Sequence, residues 1–133
     1  MAMQFSAVSR NAALDAIETA IGVSPTLEIR TGAAPANCAA ADSGTVLATI
    51  ALPSDFFAAA SGGAKALLGT WQDTSADASG TAAHFRIKQG ATCHIQGSIT
   101  ATGGGGDMTL DNIVLAITQA VSITAFTLTA GGA

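Results

Sequence analysis

The chain has 133 residues, enough for one domain with its own core, and only 11% of them are charged, against roughly 25% in ordinary globular domains. Its net charge is −4 and its five Lys and Arg are scattered, so the basic footprint of a nucleic-acid binder is missing. The hydrophobic share of 49% leans on alanine, and the longest apolar tract, 113–126, is broken by Thr118, Gln119, Ser122 and Thr124, short of the ~20 apolar residues that cross a bilayer.

The opening MAMQFSAVSRN lacks a charged head followed by an apolar run, so no secretion signal is expected. Cys38 and Cys93, the two cysteines, are accordingly expected as reduced thiols, an expectation that an oxidising medium would weaken. Residues 9–22 predict the one clear helix. Ser9 can cap it, Leu14, Ile17 and Ile21 recur on one face, and Gly22 supplies a left-handed stop. Asp15 and Glu18 fall on another side and are expected in solvent. So short a helix is marginal alone, and its apolar stripe should dock on a sheet or on a second subunit.

After Ser24-Pro25, residues 26–32 read as a strand with Leu27 and Ile29 inward and Glu28 and Arg30 outward. A long loop, 33–44, holds Cys38; loops of that length carry contacts more often than core. Residues 45–52, uncharged and β-branched, suit a strand covered on both faces, ended by Pro53. Ser54 could open a short helix. Phe56 and Phe57 behind it are either core, the preferred reading, or an exposed apolar knob. Residues 65–71 predict another strand, ending at the single tryptophan, Trp71. That side chain is core first, with a sugar platform or an interface anchor as alternatives.

The stretch 80–110 has the clearest alternation. Ala83, Phe85 and Ile87 alternate with His84, Arg86 and Lys88, and after a turn at 89–91, Cys93, Ile95, Gly97 and Ile99 alternate with His94, Gln96, Ser98 and Thr100. Two neighbouring strands with one apolar and one wet face are expected. Residues 102–107, with four glycines, read as a hairpin turn. They lack the Gly-Lys-Ser/Thr and the following helix of a phosphate loop. Strands then run over 108–117 and 121–129, the second with a period shift between Ile123 and Phe126 that suggests a β-bulge. About seven strands behind one helix predict a mainly β fold: an antiparallel β-sandwich, with a jelly roll as its specific form. Residues 1–22 form an arm and helix and 23–133 the sandwich, within a single domain.

Cys38, His84, Cys93 and His94 are the only soft metal ligands, and their spacing argues against zinc, since Cys93 and His94 are adjacent. A Cys93–His84 nucleophilic pair fails because the alternation puts them on opposite faces. Asp73, Asp77, Asp107 and Asp111 lack the spacing of a calcium loop. With no hydrolase, metalloprotease or dinucleotide motif either, no enzyme activity and no cofactor are expected.

The segments NAALDAIETAIG, LEIRTGAAPANCAAADSGTVLATIALPSDFF, GTWQDTSADASGTAAHFRI and TATGGGGDMTLDN resemble, across nearly the whole chain, a group of small proteins encoded by tailed bacteriophages and prophages. The resemblance implies a virion structural protein, assembled in the host cytoplasm, and at this size a capsid cement or decoration protein that binds the major capsid protein. A neck, tail or fibre-base component is the nearest alternative, and a carbohydrate-binding module a more distant one. In the cement role the arm at 1–10, the 33–44 loop, Phe56-Phe57 and the 103–106 turn should carry protein contacts. The individual candidates are Phe5, Arg10, Cys38, Phe56, Phe57, Trp71, Gly104 and Asp107. Flat uncharged strands also point to a homo-oligomer.

Overall fold

A computed structural model describes residues 3–133, which form one helix and eleven short strands. The helix, α1 (Ala7–Ile21), starts one turn earlier than expected, because Ser6 rather than Ser9 caps it: the Ser6 hydroxyl accepts from the Ser9 N–H. Gly22 ends it with φ +88°, as its lack of a Cβ allows. Leu14 and Ile21 are buried, whereas Ile17, expected on the same stripe, is 39% exposed. No helix among the described residues is long and apolar enough to cross a membrane.

Five strands make the main sheet. They are β1 (Thr26–Arg30), β2 (Val46–Ala51), β6 (His84–Gln89), β7 (Thr92–Ala101) and β8 (Met108–Leu110), in the order β2-β1-β6-β7-β8. Cross-strand register puts Leu27 beside Ile50 and Ile87, and Ile29 beside Ala48 and Phe85, all of them buried. This is the apolar face that the alternation foretells.

Across it lie three two-stranded antiparallel ladders. Strand β3 (Ala64–Ala66) pairs with β11 (Thr127–Thr129), β4 (Trp71–Asp73) with β10 (Val121–Ile123), and β5 (Gly80–Thr81) with β9 (Val114–Leu115). Their inward residues close a sandwich-like core. Phe57 and Phe126 stack at 6.2 Å between centroids, Trp71 lies 5.6 Å from Phe57, and Phe85 meets Phe126 edge-on at 5.4 Å. The longer predicted strands are each split by a change of ladder. Residues 64–73 feed β3 and then β4. Residues 121–129 leave β4 for β3, so the period shift before Phe126 marks a break and not a bulge. Ser54 opens no helix; Phe57 instead forms an isolated bridge to Leu67.

Strands β7 and β8 are parallel, Ile99 opposite Met108 and Ala101 opposite Leu110, although only residues 102–107 join them. The glycine turn is therefore no hairpin. It doubles back along β7 and reverses again, a path far shorter than the dozen or more residues of an ordinary parallel crossover. Glycine makes the path possible: a Cβ on Gly106 would lie 2.9 Å from the Thr100 backbone nitrogen, and one on Gly104 2.7 Å from the Thr100 side chain. Asp107 fastens the return by accepting from the Ser98 N–H at 2.9 Å, while the Gly106 N–H donates to the Thr100 hydroxyl at 3.0 Å.

The free edge of β2 is closed from the side. Asp73 accepts from the Thr49 N–H at 3.0 Å, and the Asp77 N–H donates to the Leu47 carbonyl at 2.7 Å.

Candidate functional site

The outward row of the sheet carries Glu28, Arg30, His84, Arg86 and Lys88, which the alternation predicts to be wet. It is covered. Arg30, His84 and Arg86 are buried, with Arg86 only 2% exposed, because the 33–44 loop folds across them. Arg86 is the centre of that contact. Its Nη2 donates to the carbonyls of Asn37, Cys38 and Ala40, each at 3.1 Å, its Nη1 donates to Asp42, and its Nε donates to Gln96. One planar guanidinium thus satisfies the loop's backbone acceptors, work that a point-charge ammonium could not copy. Asp42 is also bonded by Lys88 Nζ at 2.6 Å and faces Arg30 at 3.3 Å. The Lys88 ammonium first, and Arg86 after it, hold the Asp42 carboxyl down at about 2. Lys88 is raised, chiefly by Asp42. Gln96 secures the other end of the loop, donating to the Pro35 carbonyl at 2.7 Å.

The two cysteines meet at the edge of this cluster. Cys93 Sγ lies 2.8 Å from Cys38 Sγ. The cause is local. The two-residue turn Gly90-Ala91 sets Gln89 opposite Thr92 and Lys88 opposite Cys93, while the apolar row demands Ile87 opposite Ile95. The mismatch of one residue is absorbed as a β-bulge at His94, which moves Cys93 from the expected apolar face to the face of Lys88 and the loop. Burial, and then the Cys38 contact, push the Cys93 thiol up to about 11. A cleft of about 620 Å³, lined by Cys38, Asp42, Arg86, Thr92 and Cys93 among others, opens beside the pair.

His84 is elsewhere, opposite Ser98, with Nδ1–H donating to the Gly32 carbonyl at 2.7 Å. The four soft ligands therefore divide into a thiol pair and two separate histidines. Among the described residues no three His, Cys, Asp or Glu side chains converge in a way that could hold a metal ion.

A second buried charge site ties helix to sheet. Lys65, 1% exposed, reaches Asp15 at 2.6 Å and Glu18 at 2.9 Å. The same carboxylates accept from the Ala60 and Phe57 N–H groups. Asp15 keeps half of its side chain in solvent, as expected, but both carboxylates also face the one cation of β3 and hold the 57–60 backbone beside it. Burial alone would lower the Lys65 ammonium, but the hydrogen bonds it donates to Asp15 and Glu18 outweigh it and leave it raised, while Lys65 and the Ala60 N–H lower Asp15.

The candidate contact residues do not gather in one place. Phe56, Phe57 and Trp71 are at most 1% exposed, so they are core and offer nothing to a partner; the sugar-platform reading of Trp71 falls with that burial. Phe5 is half exposed, but its N–H donates to the Gly132 carbonyl at 2.6 Å, so the arm at this point is tied down and not free to dock. Arg10 is half-buried, its guanidinium filling the space where a Gly63 side chain would stand. Cys38 faces Cys93, and Gly104 and Asp107 remain exposed at the tip of the 102–107 excursion.

No family model, curated protein or solved structure matches the chain. What it does must then be sought in its own surface. Lys65 and Asp42 are the residues sequence reasoning passed over. Their signal is scarcity: in a chain with five cations, a lysine inside the apolar run 64–68 is an expensive placement that needs a carboxylate nearby.

Proposed function

We propose that this protein is a virion structural component of a tailed bacteriophage, seated on the capsid lattice as a cement or decoration protein that binds major capsid protein subunits and further copies of itself. The observation that carries the reading is the location of charge. Arg30, Lys65, Arg86 and Lys88, four of the five cations, are spent in ion pairs with Asp15, Glu18, Glu28 and Asp42. What remains outside is mostly hydroxyl, amide and methyl. Val8 is 78% exposed, Val23 71%, Val114 60% and Ile117 57%. Such a surface gives up less hydration on contact than an ionic one, which favours broad docking onto other protein. The family resemblance in the sequence supports the same role.

Quantitative mass spectrometry of gradient-purified particles from the phage that encodes the chain tests it. A ratio to the major capsid protein within a few-fold of unity is expected. A handful of copies per particle would move the protein to the neck or tail, and absence from particles would defeat the structural role.

A further inference from the structure

Most of the charged cluster is accounted for by holding the 33–44 loop, but the thiol pair is not. Arg86, Asp42 and Gln96 already secure the loop without it. The backbone carbonyl of Cys38 is itself one of the Arg86 acceptors, so that guanidinium fixes where the Cys38 side chain stands. The bulge at His94 fixes Cys93 opposite. Two sulfurs 55 residues apart are thereby held 2.8 Å from each other, within an ångström of the about 2.05 Å of a disulfide bond. Both side chains are only half-buried, and the cleft beside them is open to solvent and lined by Arg86. That opening gives an oxidant in solution a route to the sulfurs.

We propose that Cys38 and Cys93 are a modification site: a low-molecular-weight disulfide of the glutathione class converts them to an intrachain disulfide that locks the 33–44 loop over the sheet. The Cys38 thiolate attacks one sulfur of the oxidant, expelling one thiol and forming a mixed disulfide. Cys93 then loses its proton to solvent and attacks the Cys38 sulfur, expelling the second thiol. In sum, two protein thiols and one small disulfide give one protein disulfide and two small thiols, with two electrons passing to the oxidant. The site is independent of the virion role and holds whatever the partner.

The test uses the full chain, folded, treated with oxidised glutathione at mildly alkaline pH. The expected product is a monomer about 2 Da lighter with no alkylatable thiol, in which the tryptic peptide 31–65 is joined to peptide 89–133. Its Tm should rise by ~10 °C and fall back on reduction. Cys93→Ser should stop at a single glutathione adduct on Cys38 and show no rise. Two persistent thiols, stable glutathione adducts on the native chain, a disulfide-linked dimer, or an intrachain bond that leaves Tm unchanged would each overturn the proposal.

Discussion

Lys65 Nζ lies 2.6 Å from Asp15 Oδ1, so a cation in the centre of β3 is joined to a carboxylate on α1 fifty residues earlier. The helix is thus held by charge as well as by Leu14 and Ile21, which explains how a weakly amphipathic helix stays docked. Lys65→Ala should lower stability by about 2–3 kcal/mol, through the lost pair and the lost packing of its stem. Lys65→Met, which keeps the stem, should cost less. Chemical denaturation of the two variants checks the order. Because the folded ammonium is raised above its ordinary 10.5, its contribution is full below pH 10.5 and disappears as pH climbs through the folded value.

Acid should act on the other cluster. Asp42 is depressed from 3.8 to about 2, so its contribution is present above pH 3.8 and fades as pH falls through about 2. After allowance for solvent screening it is worth about 1 kcal/mol. Between those values the 33–44 loop should loosen while the core persists. Protection factors of the amides at residues 38–42, exchange measured against the intrinsic rate at each pH, should fall in that window, and Asp42→Asn should reproduce the loss at neutral pH.

Arg86→Lys keeps the charge and loses the fork. Three loop carbonyls would be left short of a donor, so loss of about 2–4 kcal/mol is expected despite the conservative exchange. Thermal unfolding of the variant measures it, and recovery to wild-type Tm would show that charge alone holds the loop.

At Gly106, alanine would bring its Cβ to 2.9 Å from the Thr100 backbone nitrogen. The neighbour is backbone, fixed in the β7 ladder, so the clash cannot be relieved by a rotamer. A loss of about 1–3 kcal/mol is expected. Gly103→Ala meets nothing within 4 Å, but φ +87° there adds its own strain, so it should cost about 1 kcal/mol through backbone conformation. Denaturant midpoints of the pair separate the two causes.

Trp71→Ala should cost about 3–5 kcal/mol, since the indole fills the centre of the aromatic cluster. Its intrinsic fluorescence should be that of a buried indole, and insensitive to added oligosaccharides.

The residue pattern carried the sheet and its inner face, because Leu27, Ile29, Phe85 and Ile87 obey the simple two-residue alternation that burial on one side requires. It misled on the other face for a physical reason. Alternation distinguishes apolar from polar sides, and says nothing about whether a loop from elsewhere will fold over the polar one. Arg86 looks the same in sequence whether it meets water or the carbonyls of Asn37, Cys38 and Ala40. Only the Cys93 half of the thiol pair was within reach. Counting back from a two-residue turn at Gly90-Ala91 puts His94 opposite Ile87, a conflict with the apolar row that only a bulge resolves. The parallel pairing of β8 was not, because six residues with four glycines normally close a hairpin. The aromatic core was partly legible, with Phe56, Phe57 and Trp71 favoured as interior. The division of the last third of the chain among three ladders depends on contacts far apart in sequence.

Closing of the β2 edge has a consequence for crowding. An open edge of a neutral, alanine-rich sheet is a template on which further copies can add strand by strand into fibres. Here the Thr49 amide is already occupied by Asp73 and the Leu47 carbonyl by Asp77, so copies packed at high density can touch through their sides without zipping together along that edge. Asp73→Ala would open it, and the expected sign is slow growth of thioflavin-positive aggregate in concentrated samples that remain clear for the wild type.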